Sequence, residues 1–264
     1  MTLDELQILL DISLGNELDV LSKHASKTSY GYLFVDSSDG QCYLLSKHGK
    51  IDKISKIKCI SSCAFKNYTS LKSIIIPDSV KSIEDKAFYN CKSLESIIIP
   101  DSVKSIGNDA FEYCISLKSI TIPNSIESIE NDAFYGCTSL KSITIPYSVK
   151  SIEAYAFAYC SSLKSITILN SVKSIRNTAF KYCTSLESIN IPDSVESIGN
   201  TVFWNCKSLK SIIIPDSVKS IGDFAFEYCT SLKEVIFKGK TIDQVKTMDY
   251  YPWGIEDTSA IKCR

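Results

Sequence analysis

Eleven cysteines and two histidines are the residues of this chain best suited to metal or covalent chemistry. That chemistry needs convergence. A disulfide requires facing Cβ vectors, and a structural zinc site requires four ligands at short spacing. Seven of the cysteines, Cys91, Cys114, Cys137, Cys160, Cys183, Cys206 and Cys229, instead recur every 23 residues. Side chains in such a column point the same way, and pairing within it leaves one over. Cysteine is also a small apolar residue that is often buried. The column is therefore expected to fill a core as free thiols, which suits a reducing compartment. Cys42, Cys59, Cys63 and Cys263 lie off the column, and Cys59-x-x-x-Cys63 lacks the second pair of ligands that zinc needs. No metal site is expected.

Other chemistry is equally sparse. Ser73, Ser79, Ser82 and Ser93 recur as columns, so they are expected to bond loop backbone or line the surface. Gly107, Gly199 and Gly222 share one turn column with Glu84, Glu130 and Glu153, which reads as an exposed, tolerant position and not a phosphate loop. No catalytic constellation and no cofactor motif are found, so the chain is not expected to be an enzyme. Lys233-Glu234-Val235-Ile236-Phe237 follows the docking pattern of protein phosphatase 1, a basic residue before Val-x-Phe. Val235 and Phe237 fall in inward strand columns, so phosphatase regulation is a minor alternative. Asn67-Tyr68-Thr69 is a glycosylation sequon placed at a turn.

The same spacing organises the whole chain. Leu71, Leu94, Leu117, Leu140, Leu163, Leu186, Leu209 and Leu232 keep it, as do Phe65, Phe88, Phe111, Phe134, Phe157, Phe180, Phe203 and Phe226. The unit reads Leu-x-Ser-Ile-x-Ile-Pro-x-Ser-Val-x-Ser-Ile-x-x-x-Ala-Phe-x-x-Cys-x-Ser, with seven full copies from Leu71 to Ser231. One copy cannot bury its own apolar residues. Stacked copies place each on its equivalent and make the core continuous. Ile74-Ile75-Ile76 alternates as a strand does, with Ile75 outward, and Pro77 ends it. Val80 and Ile83 suit a shorter segment on the opposite wall, and Ala87-Phe88-x-x-Cys91 a tight helical or 3₁₀ turn. The expected fold is an α/β-type solenoid, an arc of 23-residue coils with one parallel sheet along its length.

The unit closely resembles the BspA-type (Treponema pallidum-type) leucine-rich repeat. That resemblance covers about 185 residues in which eight columns agree over seven copies. It implies a curved solenoid and, in bacterial relatives, adhesion to host proteins at the cell surface. The lysine-, isoleucine- and asparagine-rich wording fits a protist member.

Three regions are expected: an N-terminal cap at 1–47, the array at 48–237 with a degenerate first coil, and a C-terminal cap at 238–264. The first holds an amphipathic stretch, Leu3 to Leu21, and a hairpin around Asp39-Gly40. The last holds a short helix, Ile242 to Met248. The formal net charge of −1 gives no drive toward nucleic acid. No apolar run nears the roughly 18 residues of a membrane span. The first residues lack the pattern of a signal peptide. A cytoplasmic location follows as the expectation, with the nucleus or unconventional export as further options.

In a stack, binding belongs to positions that vary between copies. The outward strand column holds Ile75, Ile98, Thr121, Thr144, Thr167, Asn190 and Ile213. Beside it run Lys72, Glu95, Lys118, Lys141, Lys164, Glu187 and Lys210, where the glutamates relieve a like-charge ladder. Tyr147, Tyr155, Trp204 and Phe224 replace small or polar residues, and Leu169 replaces the strand-ending proline. Exposed aromatics favour protein interfaces. An intracellular protein-interaction scaffold is the first expectation, a secreted or surface adhesin the second. Self-association through open sheet edges accompanies either.

Overall fold

The computed structural model describes the strands Lys27–Thr28, Gly31–Val35, Cys42–Ser46 and Ile51–Lys53, and residues 58–264 apart from Ser70 and Pro77. The stretch Leu3 to Leu21 lies outside the described residues. The array is a parallel β-solenoid in which each coil supplies a front strand, a two-residue back strand and a run of turns.

Alternation sets the front strands. Ser142–Ile145 and Ser165–Ile168 bury Ile143, Ile145, Ile166 and Ile168 and expose the residues between. Neighbouring front strands pair in parallel with a register of one repeat, as in Ile143↔Ile166 and Thr144↔Thr167. The back strands, such as Ser151–Ile152 and Ser174–Ile175, pair in the same way. The back strand of each coil is short because the turn that follows Ile152 or Ile175 leaves the extended conformation at once.

The third wall is neither helix nor sheet. The N–H groups of Lys86, Phe88 and Asn90 donate forward to carbonyls of Asn108, Ala110 and Glu112 in the next coil. Those of Ala87, Tyr89 and Cys91 donate to residues three positions back. This scheme repeats coil after coil and leaves these backbone donors paired. It requires left-handed backbone at two positions per coil, for example Lys86 (φ 58°) and Asn90 (φ 59°). Each such non-glycine residue costs about 1–2 kcal/mol. The inter-coil bonds, at 2.7–3.2 Å, offset that cost. The expected helical turn is thus realised as 3₁₀-type bonds cut short by left-handed residues.

Two ladders fill the core. Eight phenylalanines from Phe65 to Phe226 stack with centroids 5.0–5.7 Å apart and planes within 2–9° of parallel. Such pairs add about 0.5–1.5 kcal/mol beyond their burial. Each of the seven column cysteines is buried, and its thiol donates to the phenylalanine carbonyl one coil back, at 3.0–3.2 Å. Cysteine thus both packs and bonds. Burial pushes the thiols of Cys91, Cys160 and Cys229 up to about 12.

The expectation of one continuous front sheet fails at one coil. Ser73–Ile75 and Ser96–Ile98 form a two-stranded sheet, no strand forms at 119–122, and a six-stranded sheet begins at Ser142–Ile145. The back sheet breaks beside it, between Ser105–Ile106 and Ser128–Ile129. The interrupted coil holds Ile126 where its neighbours hold Val103 and Val149, the one change among its eight apolar columns. An added methylene in a close-packed column forces backbone shifts.

The column accepts Glu84, Glu130 and Glu153, but its three glycine positions are closely packed. A Cβ on Gly107 would lie 2.4 Å from Asp85 Oδ1 and 2.6 Å from Asp85 N. Gly199 and Gly222 face Asn177 and Asn200 as closely. In each case the preceding Asp or Asn folds over the glycine and accepts the next backbone N–H, at 2.8–2.9 Å.

The ends depart from the repeat. Ile51 stands one period before Ile74, yet Ile51–Lys53 pairs antiparallel with Cys42–Ser46, which also pairs with Gly31–Val35. With His48 in the leucine position, this segment lacks the residue that anchors the other coils. At the far end the helix Ile242–Lys246 starts with a capping box from Thr241 and Gln244. Trp253 is fully buried against Phe237, and its carbonyl accepts the Phe226 N–H. Ile261–Cys263 then adds a last parallel strand beside Glu234–Phe237.

Candidate partner-binding surfaces

The sheet face presents the outward column as expected. Ile75, Ile98 and Ile213 are 51%, 60% and 40% exposed. Thr144, Thr167, Asn190 and Ile213 lie side by side in register. Thr121 is exposed in the interrupted coil, outside any strand. The row ends at Ile236, which is buried and pairs with Lys262 of the last strand. In the neighbouring charged row, Lys118 pairs with Glu95 and Lys210 with Glu187, the relief expected of the two glutamates. Both pairs are exposed, so their stabilisation is small.

One groove gathers several candidates. Tyr147, Leu169, Asn190, Pro192, Ile213 and Lys238 line an open depression of about 290 Å³ at the end of the front strands. Leu169 shapes it. Unlike proline, it has an N–H, which bonds the Ile145 carbonyl at 3.1 Å. Its own carbonyl accepts the Ser171 N–H, a tighter turn than the proline-to-valine bond of other coils. The Tyr147 side chain, 64% exposed, stands at the rim.

Tyr155, Trp204 and Phe224 lie elsewhere, on the turn wall. Tyr155 and Phe224 occupy left-handed turn positions and are exposed. Trp204 belongs to a feature the sequence reading missed. Tyr89, Tyr113, Tyr135, Tyr159, Tyr182, Trp204 and Tyr228 form a surface ridge with successive centroids 4.5–6.0 Å apart. Each full repeat contributes one ring. The ring shifts between two adjacent columns, Tyr89, Tyr135 and Trp204 in one and Tyr113, Tyr159, Tyr182 and Tyr228 in the other, so neither column is aromatic throughout. Gly136 makes room within the ridge: a Cβ there would meet the Tyr113 ring at 2.8 Å. Trp204 Nε1 donates to Glu227 at 2.8 Å.

Charge is unevenly spread along the ridge. Lys66 Nζ lies 5.1 Å above the Tyr89 ring, and Lys181 Nζ 4.5 Å above Trp204. Between them Asp109, Glu112 and Asp132 cluster, with Lys86 3.9 Å from Asp109. Burial, together with a hydrogen bond and repulsion from Asp109, pushes Glu112 up to about 8. Burial and Asp109 raise Asp132. Val235 and Phe237 of the phosphatase-like motif are fully buried. Docking it would remove the last repeat strand from the core.

Residues 41–164 and 150–251 match the family described as BspA type leucine rich repeat region, in six copies. The fold is similar to that of a leucine-rich repeat protein from Bacteroides ovatus, at 25% identity and a TM-score of 0.53, over 80% of this chain and 70% of that one. It is also similar to a T. pallidum leucine-rich repeat protein, at 28% identity and a TM-score of 0.56, over 67% of this chain and 91% of that one. Among curated proteins none matches the chain significantly.

Proposed function

The chain belongs to the BspA-type leucine-rich repeat family, and on that footing we propose that it is an intracellular, non-enzymatic scaffold that binds a partner protein on its front sheet. Leucine-rich repeats in general serve as protein-binding scaffolds. The observation that supports this site is the groove that brings Tyr147, Asn190 and Ile213 together at the end of the outward column that carries Thr144 and Thr167. Its mixture of an aromatic rim, isoleucine and backbone polar groups suits a protein segment. The buried thiols of the cysteine column support a reducing compartment. No described helix is long and apolar enough to cross a membrane. The front-sheet strand Ile261–Cys263 offers a short open edge where a second copy would add.

The test is a pull-down from the native cell with the wild-type chain and two variants. One carries Ile75→Lys and Ile98→Lys, the other Tyr147→Ala and Ile213→Lys. Loss of a shared partner from either variant supports the sheet face. Retention by both sinks it. Surface biotinylation of intact cells tests the location: labelling of this chain would favour an exported adhesin instead.

A further inference from the structure

The aromatic ridge lies on a different wall from the sheet face and has its own chemistry. Its two ends already hold cations from within the chain, Lys66 on Tyr89 and Lys181 on Trp204 and Tyr182. Its middle does not: among the described residues no lysine or arginine lies over Tyr113, Tyr135 or Tyr159. Yet the middle is where negative charge gathers. Glu112 stands between Tyr89 and Tyr135 in their column, and Tyr113 meets both rings edge-on, at 6.0 and 5.4 Å. Asp109 and Asp132 lie beside it, and among the described residues Lys86 is the one cation paired there.

We propose that this middle stretch, Tyr113 and Tyr135 with Asp109, Glu112 and Asp132, docks a basic segment of a partner protein whose arginine or lysine side chain rests on the rings. Charge complementarity selects this occupant. Asp109 and Asp132, with Glu112 beside them holding a proton until a cation arrives, face one ammonium, so an acidic or neutral segment gains nothing there. The ring faces carry the negative side of their quadrupole, which attracts a guanidinium or ammonium. The internal lysines at either end show the ridge in that role. The crowding that raises Glu112 and Asp132 is relieved when a cation arrives. Gly136 completes the surface, because any larger residue would displace Tyr113 from its place over the next coil.

The probe is a labelled peptide of alternating glycine and arginine, with a glycine–glutamate peptide as its counterpart, followed by fluorescence anisotropy. The arginine peptide is expected to bind the wild-type chain and the glutamate peptide not to bind. Asp109→Asn with Asp132→Asn removes charge from the surface without altering packing, and is expected to weaken binding about tenfold. Tyr135→Leu leaves the charges in place and is expected to weaken it about threefold. Ile98→Lys, on the sheet face, is expected to leave peptide binding unchanged, so that failure here and failure of the sheet-face reading are distinguishable. Circular dichroism confirms that each variant is folded. No arginine-peptide binding to the wild type, or equal binding by the double Asn variant, overturns the proposal. Equal binding by Tyr135→Leu overturns the part assigned to the ring.

Discussion

The thiol of Cys160 donates to the carbonyl oxygen of Phe134, one coil back and 3.2 Å away. The Cys137 N–H donates to that same oxygen from the Phe134 side, also at 3.2 Å. A buried carbonyl with two lone pairs is thus satisfied twice, once by its own coil and once by the next. Replacing Cys160 with alanine removes the second donor and the sulfur's packing together. Urea unfolding is expected to show a loss of about 1–3 kcal/mol. Cysteine-to-valine adds volume where the stack has none and is expected to cost at least as much. A neutral effect of both changes would remove the thiol's structural role.

The same burial predicts reactivity. At pH 8 the seven column thiols are expected to resist a maleimide in the native protein, and to react once unfolded. The half-buried Cys59, Cys63 and Cys263 are expected to react first. Rapid native labelling of Cys160 or Cys183, read by mass spectrometry, would contradict the buried column.

Gly199→Ala tests the folded-over asparagine. The new Cβ meets Asn177 Oδ1 at 2.5 Å and Asn177 N at 2.6 Å. A loss of about 1–3 kcal/mol is expected by thermal unfolding. Adding Asn177→Ala is not expected to rescue it, because the backbone nitrogen stays in the way. Full rescue would show that only the side chain matters.

Stability is expected to depend on pH through Glu112. Its folded-state value, about 8, lies above that of an unfolded glutamate. The folded chain therefore holds a proton that the unfolded chain has released. That contribution is complete below the unfolded value and is lost as pH rises toward 8. Glu112→Gln is expected to be near neutral at pH 4 and stabilising at pH 8. Equal effects at both pH values would count against the carboxyl crowding.

Trp253→Ala opens the C-terminal end. Truncating a fully buried aromatic costs about 3–5 kcal/mol. In a stack held by neighbouring coils the damage stays local. Hydrogen exchange is expected to quicken around Phe226 and Phe237 while the coils around Phe134 keep their protection. Uniform loss across the array would mean that the coils unfold as one unit.

Most of the architecture was legible because it repeats. Leu71, Ile74, Phe88 and Cys91 each announce a buried column through identity at fixed spacing, and all are buried. What was not legible depends on relations between coils. Gly199 looks like an idle turn position until Asn177 of the previous coil is placed on it. The ridge from Tyr89 to Tyr228 moves between two columns, so a column-by-column reading dissolves it. The break near Ser119 coincides with one extra methylene at Ile126, too small a difference to stand out among Ile and Val. Among the proposed binding residues, Tyr147, Asn190 and Ile213 share a groove because four successive coils, the Leu169 coil among them, line up at the end of the front strands. Tyr155, Trp204 and Phe224 lie outside it.

The forward-pointing bonds of the turn wall give that wall an electrical direction. Coil after coil, three N–H groups face the C-terminal end and the carbonyls they meet face the other way. Aligned peptide groups add as they do in a helix. The front and back walls also donate backward, as Lys81 N–H to Lys58 O and Glu95 N–H to Lys72 O do, whereas the turn wall ends in donors at its C-terminal side and acceptors at the other. The tail meets this need at Trp253, whose carbonyl accepts from Phe226 at 3.0 Å. Whole coils can be inserted or deleted without disturbing that polarity. A tail moved to the opposite end would present its carbonyl to other carbonyls.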